Sequence, residues 1–135
     1  MGEAFCVYSD GSSIEGGVGA AAVALAGQRG LRNGLTLSYT LGADNLHTVY
    51  EAELIGAILA LEIIRKAKDV RSAAILMDNQ SAIRTLQNPT ARPGQQLTQC
   101  FFKILEGLLK TNPRLQLQLV WVPGHRDIEG NEAAD

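Results

Sequence analysis

The spacing of apolar and polar residues predicts three short strands in the first part of the chain. Residues 4–10 alternate and run into the turn-forming residues 10–13 (Asp-Gly-Ser-Ser), so we expect a strand that closes there. A second apolar run, residues 18–25, follows two glycines, and a third, residues 31–41, follows the glycine-bounded residues 27–30. Short strands joined by glycine turns predict an antiparallel meander.

Beyond Thr48 the pattern becomes helical. Residues 52–64 are almost wholly apolar, and a run of this length is typical of a largely buried helix. Thr48 and Glu51 fit a capping box, in which each side chain accepts the backbone amide of the other residue. Glu51 is therefore interpreted as a structural cap. Glu53 points to a different side of the helix and has no such role.

The remaining segments predict an α/β domain. A strand at residues 73–77 precedes a helix of about nine residues from Asn79, and a longer helix covers about residues 95–110. Strict alternation over residues 115–119 then leads into a last strand that ends near Val122. The order βββαβααβ predicts one domain with a mixed sheet.

Composition places the chain among ordinary globular domains. Its 135 residues suit one domain, residues 1–135, and no apolar run reaches the roughly 18 residues that span a bilayer. The first residues lack a signal-peptide pattern, so we expect an intracellular protein, cytoplasmic or nuclear and not secreted. Cys6 and Cys100 are interpreted as buried thiols in a reducing compartment, without zinc-site spacing.

The formal net charge of −2 argues against a free-standing nucleic-acid-binding module, which usually carries a basic face. The charge would change if four acids held two divalent cations, since −2 + 4 = +2. Net charge therefore does not exclude a phosphodiester substrate.

Four polar residues each have an ordinary structural interpretation. Asp10 could serve a turn, Asp78 could cap a helix, Glu53 could lie exposed near a helix N-terminus, and His125 could be a loop histidine. Their joint placement favours another interpretation, because ligands of α/β sheets bind beyond the carboxyl ends of parallel strands. Clustered carboxylates repel one another without cations, and an all-oxygen set suits Mg²⁺ or Mn²⁺.

Four short motifs in this order resemble those of the type 1 ribonuclease H family, in particular the domains attached to reverse transcriptases of non-LTR retrotransposons. The resemblance covers essentially the whole chain. The motifs are Tyr8-Ser9-Asp10-Gly11-Ser12, Glu51-Ala52-Glu53-Leu54, Met77-Asp78-Asn79-Gln80-Ser81 and the terminal Gly124-His125 through Glu132-Ala133-Ala134-Asp135.

The resemblance implies a mixed five-stranded sheet, three antiparallel strands then two parallel, flanked by helices. It also implies hydrolysis of the RNA strand of RNA–DNA hybrids with two Mg²⁺ ions, for which Mn²⁺ can substitute. The residues that match the family's metal ligands are Asp10, Glu53, Asp78 and Asp135. His125 matches a histidine that assists proton transfer or product release.

The resemblance also suggests residues that contact the substrate. Backbone groups of Gly11, Ser12 and Ser13, with Asn79 and Gln80, are candidates to hold the hybrid. Many cellular members carry an Asn-Gln pair just before the glutamate that reads the minor groove, whereas this chain has Val49-Tyr50 there. Selectivity for a hybrid depends on contacts to the 2′-hydroxyl, and this chain lacks the pair that supplies minor-groove contacts in those members.

Two further departures bear on the context of the domain. Residues 89–94 are too few for the basic substrate-binding helix that some members insert, so we expect weak, salt-sensitive binding unless a neighbouring domain holds the hybrid. The C-terminal helix that normally follows the last aspartate is missing from the sequence. We expect a fragment of a larger retroelement polyprotein, covalently linked to a reverse transcriptase domain.

Two alternatives stay open. A catalytically idle ribonuclease-H-like module would bind nucleic acid or brace a polymerase, and would have no need of metal. An enzyme with another substrate, such as duplex RNA or duplex DNA, would retain the acids.

Overall fold

The structure, a computed structural model, describes residues 4–25, 27, 34–45, 48–67, 69–88 and 95–123. The predicted order βββαβααβ is confirmed within these ranges. The elements are β1 (Phe5–Ile14), β2 (Gly17–Ala24), β3 (Leu35–Ala43), α1 (Val49–Lys66), β4 (Ser72–Met77), α2 (Gln80–Gln87), α3 (Gln95–Thr111) and β5 (Gln116–Trp121).

The five strands form one sheet in the order β3-β2-β1-β4-β5. β1 pairs antiparallel with β2, as β2 does with β3, whereas β4 runs parallel to both β1 and β5. The predicted mixed sheet, with three antiparallel strands and then two parallel ones, is confirmed. β1 and β4 are therefore the central strands, and their carboxyl ends point the same way.

The predicted end of β1 was wrong. Residues 10–13 are not a turn but part of the strand, which continues to Ile14 and pairs with β2 along this length. The chain reverses instead at Glu15 and Gly16, whose φ angles of 52° and 82° are both left-handed. Cross-strand pairing thus overrides the turn preference of Asp-Gly-Ser, because strand formation depends more on neighbouring strands than on local propensity.

Helix α1 lies close against β1 because small residues meet along its length. A Cβ atom built on Gly11 would lie 2.6 Å from the Glu53 amide nitrogen and 2.7 Å from the Ala52 Cβ. Gly56 lies on the helix side of the same contact, and a Cβ there would lie 3.3 Å from the Asp10 carbonyl oxygen on β1. We call Gly11, Ala52 and Gly56 the glycine seam. It lets the helix backbone approach the strand and brings Glu53 beside Asp10.

The apolar core fills the space between the sheet and α1, and α3 packs beside α1. α3 buries Thr98, Phe101 and Leu108 but leaves Cys100 exposed, so the prediction that this thiol is buried was wrong. Cys6 is half-buried in β1. None of the described helices has both the length and the apolar character needed to cross a bilayer.

Candidate metal centre

Three acids, one on β1, one on α1 and one directly after β4, meet at the carboxyl end of the central parallel strands. The parallel pairing of β1 with β4 runs as far as Tyr8 opposite Leu76, so Asp10 and Asp78 both follow its end. Glu53 reaches the same place from the first turns of α1. One carboxylate oxygen of each of the three acids lies within 4.8 Å of the other two.

Glu53 is the most deeply buried of these acids, with 2% of its surface exposed. The Gly11 amide donates a hydrogen bond to Glu53 Oε1 at 2.5 Å. The pKa of Glu53 is raised to about 7, mainly because the charged form loses hydration on burial and to a smaller extent because of the negative charge of Asp78. The bond from Gly11 acts in the opposite direction, since it stabilises the carboxylate.

The second oxygen of Glu53, Oε2, is buried and has no hydrogen-bond partner among the residues that the structure describes. A buried polar atom without a partner is costly and calls for an explanation. Asp10 is also buried, at 6% exposure, so water screens the repulsion between the carboxylates of Asp10 and Glu53 only weakly. An all-oxygen cluster with an unsatisfied buried carboxylate oxygen fits a hard divalent cation such as Mg²⁺ or Mn²⁺.

Glu51, two residues before Glu53, has the capping role predicted from the sequence. The Glu51 amide donates to Thr48 Oγ1 at 3.0 Å, and the Thr48 amide donates to Glu51 Oε1 at 2.7 Å. The capping box is therefore complete. Of the two glutamates, only Glu53 takes part in the acid cluster.

The interpretation of Asp78 as a helix cap was wrong. Asn79 is the N-cap of α2, and its Oδ1 accepts the Ala82 amide at 2.9 Å. The reason is geometric, because α2 begins at Gln80, one residue later than an Asp78 cap would require. Asp78 lies in the short connection between β4 and α2, where its carboxylate joins the acid cluster.

One neighbour of Asp78 was not found from the sequence. The Trp121 indole Nε1–H donates to the Asp78 carbonyl oxygen at 3.3 Å. The pairing of β4 with β5, which sets Trp121 opposite Met77, brings the two together. A single tryptophan at the end of the last predicted strand was the available signal, but the strand order needed to use it is not a local property.

The other candidate residues are placed unevenly. His125 and Asp135 lie outside the described residues. Ser12 and Ser13 lie in β1, and Gln80 is exposed at the first position of α2. Ser12 and Ser13 thus share β1 with Asp10, and Gln80 begins the helix that follows Asp78.

Val49 and Tyr50, at the positions where the resemblance to many cellular members would lead one to expect an Asn-Gln pair, differ in exposure. Val49 is 40% exposed, whereas Tyr50 is half-buried. The Tyr50 hydroxyl is hydrogen-bonded to Thr85 Oγ1 and so ties the start of α1 to α2. Tyr50 thus has a packing role.

Comparison with known proteins places this arrangement in a family. The family model described as RNase H matches residues 2–135. A search of curated proteins returned no match.

The solved structures that share the fold include three that align over 96% of this chain. RNase H1 from the archaeon Halobacterium salinarum is 19% identical with a TM-score of 0.63, and the alignment covers 90% of its chain. A compost metagenome RNase H1 (LC11) is 23% identical with a TM-score of 0.66 and 91% of its chain covered. The N-terminal RNase H domain of a Mycobacterium tuberculosis protein is 19% identical with a TM-score of 0.65 and 95% covered.

The structural similarity to these three proteins establishes the fold, and the match to the family model establishes the family. The match spans nearly the whole chain, and the three described acids of the family motifs meet in one cluster. The chain therefore belongs to the RNase H family, and its enzyme class is that of a ribonuclease H.

Proposed function

We propose that this enzyme hydrolyses the RNA strand of RNA–DNA hybrids with divalent cations, Mg²⁺ in the first place, held by Asp10, Glu53 and Asp78. The observation that carries the proposal is the meeting of these three carboxylates around a buried, unpartnered Glu53 oxygen. Asp135 is proposed as the fourth ligand and His125 as the residue that assists proton transfer or product release. The LC11 RNase H1 was also solved in complex with an RNA/DNA hybrid, at 20% identity to this chain and a TM-score of 0.61, which supports the choice of substrate.

The protein's own groups prepare this chemistry. The Gly11 amide holds Glu53 Oε1, while the glycine seam fixes the position of α1 and so of Glu53 relative to Asp10. Burial of Glu53 and Asp10 keeps the carboxylates poorly hydrated, which strengthens their attraction for a cation. Two bound cations would activate the attacking water and stabilise the leaving oxygen of the phosphodiester.

Substrate contacts are proposed for the residues next to the acids. Ser12, Ser13 and Gln80 lie on β1 and α2 beside Asp10 and Asp78, where a backbone phosphate or a 2′-hydroxyl would approach. The Gly11 amide and the Asn79 side-chain oxygen already have intramolecular partners, Glu53 and Ala82. Any contribution of Gly11 and Asn79 to binding must therefore come from their remaining polar groups.

The central test is Asp78→Asn. This change removes one ligand charge while preserving size, and we expect Mg²⁺-dependent cleavage of a labelled RNA–DNA hybrid to be abolished. Glu51→Gln is the matched control, because it alters a nearby acid whose role is capping. Unchanged cleavage in Asp78→Asn would overturn the metal assignment.

Substrate class is tested by comparing a hybrid, duplex RNA, duplex DNA and single strands in Mg²⁺ on one gel. We expect cleavage of the RNA strand of the hybrid alone. Comparable cleavage of duplex RNA would show that the fold and metal site serve a broader ribonuclease.

A second candidate function is a catalytically idle module that binds nucleic acid or braces a polymerase. The observation that favours it is Tyr50, whose hydroxyl bonds to Thr85 at the place of a minor-groove-reading pair. Calorimetric titration with Mg²⁺ or Mn²⁺ separates the two candidates. A brace has no need of either ion, whereas the nuclease must bind them.

We also propose that this domain works beside a covalently linked reverse transcriptase domain within an intracellular retroelement polyprotein. The net charge of −2 supports help from a neighbour in holding an anionic hybrid. Adding a linked polymerase domain should raise hybrid affinity without changing the cleavage chemistry. Equal affinity with and without that domain would contradict this part of the proposal.

A further inference from the structure

The only tryptophan in the sequence, Trp121, lies beside the acid cluster. It ends β5 opposite Met77 of β4, and its indole N–H donates to the carbonyl oxygen of Asp78. Its side chain is 46% exposed. The polar end of this side chain, the indole N–H, is directed to the backbone of Asp78.

The segment that carries Asp78 is fixed from two sides. Toward α2, Asn79 caps the helix, and its carbonyl oxygen accepts the Ile83 amide at 3.2 Å. Toward β5, the Val122 amide donates to the Met77 carbonyl at 2.8 Å, and Trp121 donates to the next carbonyl, that of Asp78. Asp78 belongs to neither β4 nor α2, so its orientation depends on bonds of this kind.

We propose that Trp121 is a positioning residue for the Asp78 carboxylate. By holding the Asp78 carbonyl against the end of β5, the indole N–H sets the direction in which the side chain leaves the backbone, toward Asp10 and Glu53. Hydrogen bonds that orient a metal ligand typically change metal affinity about 10- to 100-fold when removed. This inference rests on the proposed metal site and adds a residue that touches neither metal nor substrate.

The first test is Trp121→Phe, which keeps an aromatic ring but removes the N–H donor. We expect calorimetric titration to show about tenfold weaker binding of Mn²⁺ or Mg²⁺. The KM for the hybrid should stay unchanged, and kcat should fall at low metal concentration and recover as metal is raised. Tyr39→Phe is the matched control, because it removes the polar group of another exposed sheet aromatic, 56% exposed on β3, and should leave metal affinity unchanged.

A second variant guards against loss of packing. Because the chain has one tryptophan, biosynthetic replacement by benzothienylalanine changes only Trp121 and exchanges the N–H for sulfur in a ring of the same shape. We expect the same loss of metal affinity as in Trp121→Phe, with the fold preserved.

The outcomes separate the proposals. Unchanged metal affinity in the benzothienylalanine protein would overturn the positioning role. A raised KM with unchanged metal affinity would also overturn it and make Trp121 a substrate contact. If the wild-type protein binds metal and the variants bind it less well, but no hybrid is cleaved, the proposed function fails and the role of Trp121 stands.

Discussion

Glu53 shows how one buried residue couples metal binding to protonation. Its pKa is raised to about 7, mainly by desolvation, so near neutral pH it holds a proton about half of the time in the metal-free protein. A cation must displace that proton. Metal binding should therefore release protons at pH 6–7 and tighten as pH rises to 8. Calorimetry in buffers of different ionisation enthalpy measures this release, and its absence would contradict the raised pKa.

The same shift predicts how stability depends on pH. Below pH 4.5 Glu53 is protonated in both the folded and unfolded states. As pH rises from 4.5 to about 7 the unfolded chain releases this proton first, so the metal-free protein loses stability over this window. The full loss amounts to about 3 kcal/mol.

Glu53→Gln removes this pH dependence. In EDTA, we expect the variant to gain about 2–3 kcal/mol of unfolding free energy relative to wild type between pH 5 and pH 8. Denaturant unfolding of both proteins at pH 5 and at pH 8 measures this gain. The other titrating groups are the same in both proteins, so their contributions cancel. Excess Mg²⁺ at pH 8 should reverse the order, because only wild type keeps the full ligand set. An equal gain at both pH values would contradict a buried ionised Glu53.

Residues with local roles were predictable from the sequence, and those with tertiary roles were not. Capping follows from a spacing of three residues, which separated Glu51 from Glu53 without a structure. The bond from Trp121 to Asp78 joins residues 43 positions apart and required the strand order. The cap of α2 was displaced by one residue, from Asp78 to Asn79, which is the usual uncertainty at helix ends.

At the scale of elements, the glycine seam determines how α1 meets β1. Gly11→Ala would place a methyl group 2.6 Å from the Glu53 amide nitrogen, a backbone atom that cannot move aside alone. We expect a loss of about 1–3 kcal/mol in unfolding free energy. Metal affinity should also weaken, because Glu53 moves with the helix.

Gly107→Ala is the matched control for this prediction. It lies in α3, and apart from its chain neighbours and its own helix backbone no described atom lies within 4 Å of the position its Cβ would take. Alanine there should stabilise the protein by about 0.5–1 kcal/mol through helix propensity. If Gly11→Ala and Gly107→Ala changed the metal affinity equally, the role of the glycine seam would be contradicted.

The capping box gives a second prediction at this scale. Glu51→Ala should cost about 1 kcal/mol of stability, because the Thr48 amide loses its acceptor. Metal affinity and cleavage should stay near wild type. A loss of metal binding as large as that of Glu53→Ala would place Glu51 in the site after all.

Element boundaries were predictable where local chemistry decides them. The start of α1 followed from Thr48, whereas the end of β1 did not follow from Asp-Gly-Ser, because its pairing with β2 extends the strand to Ile14. Local preferences are thus reliable at a capped helix and weak inside a sheet.

For the whole molecule, the acid cluster opposes the substrate until cations arrive. The chain is already at −2, and under the proposed function the phosphates of a hybrid would face three clustered carboxylates. In EDTA at low salt, a double variant Asp10→Asn, Asp78→Asn should therefore bind the hybrid more tightly than wild type. The gain should shrink as salt rises, because screening weakens the repulsion. Filter binding across a salt series measures both, and weaker binding by the variant would contradict the argument.

The fold class was predictable from the sequence. The meeting of the acids was predictable only on the assumption that two particular strands are neighbours in the sheet. Periodicity gave eight elements in the correct order. That Asp10 and Asp78 approach each other depended on β1 and β4 being parallel neighbours, which the structure establishes.

The parallel pairing of β1 with β4 also bears on how the protein folds. β1 and β2 are joined by a two-residue turn at Glu15 and Gly16, whereas Phe5 pairs with Ala73 only after the chain closes a long loop that contains β2, β3 and α1. Loop closure of this length is entropically unfavourable and tends to slow folding. The cluster of acids can form only once that closure is complete. Metal ions should therefore slow unfolding without speeding early folding, and Trp121 fluorescence should follow the late step.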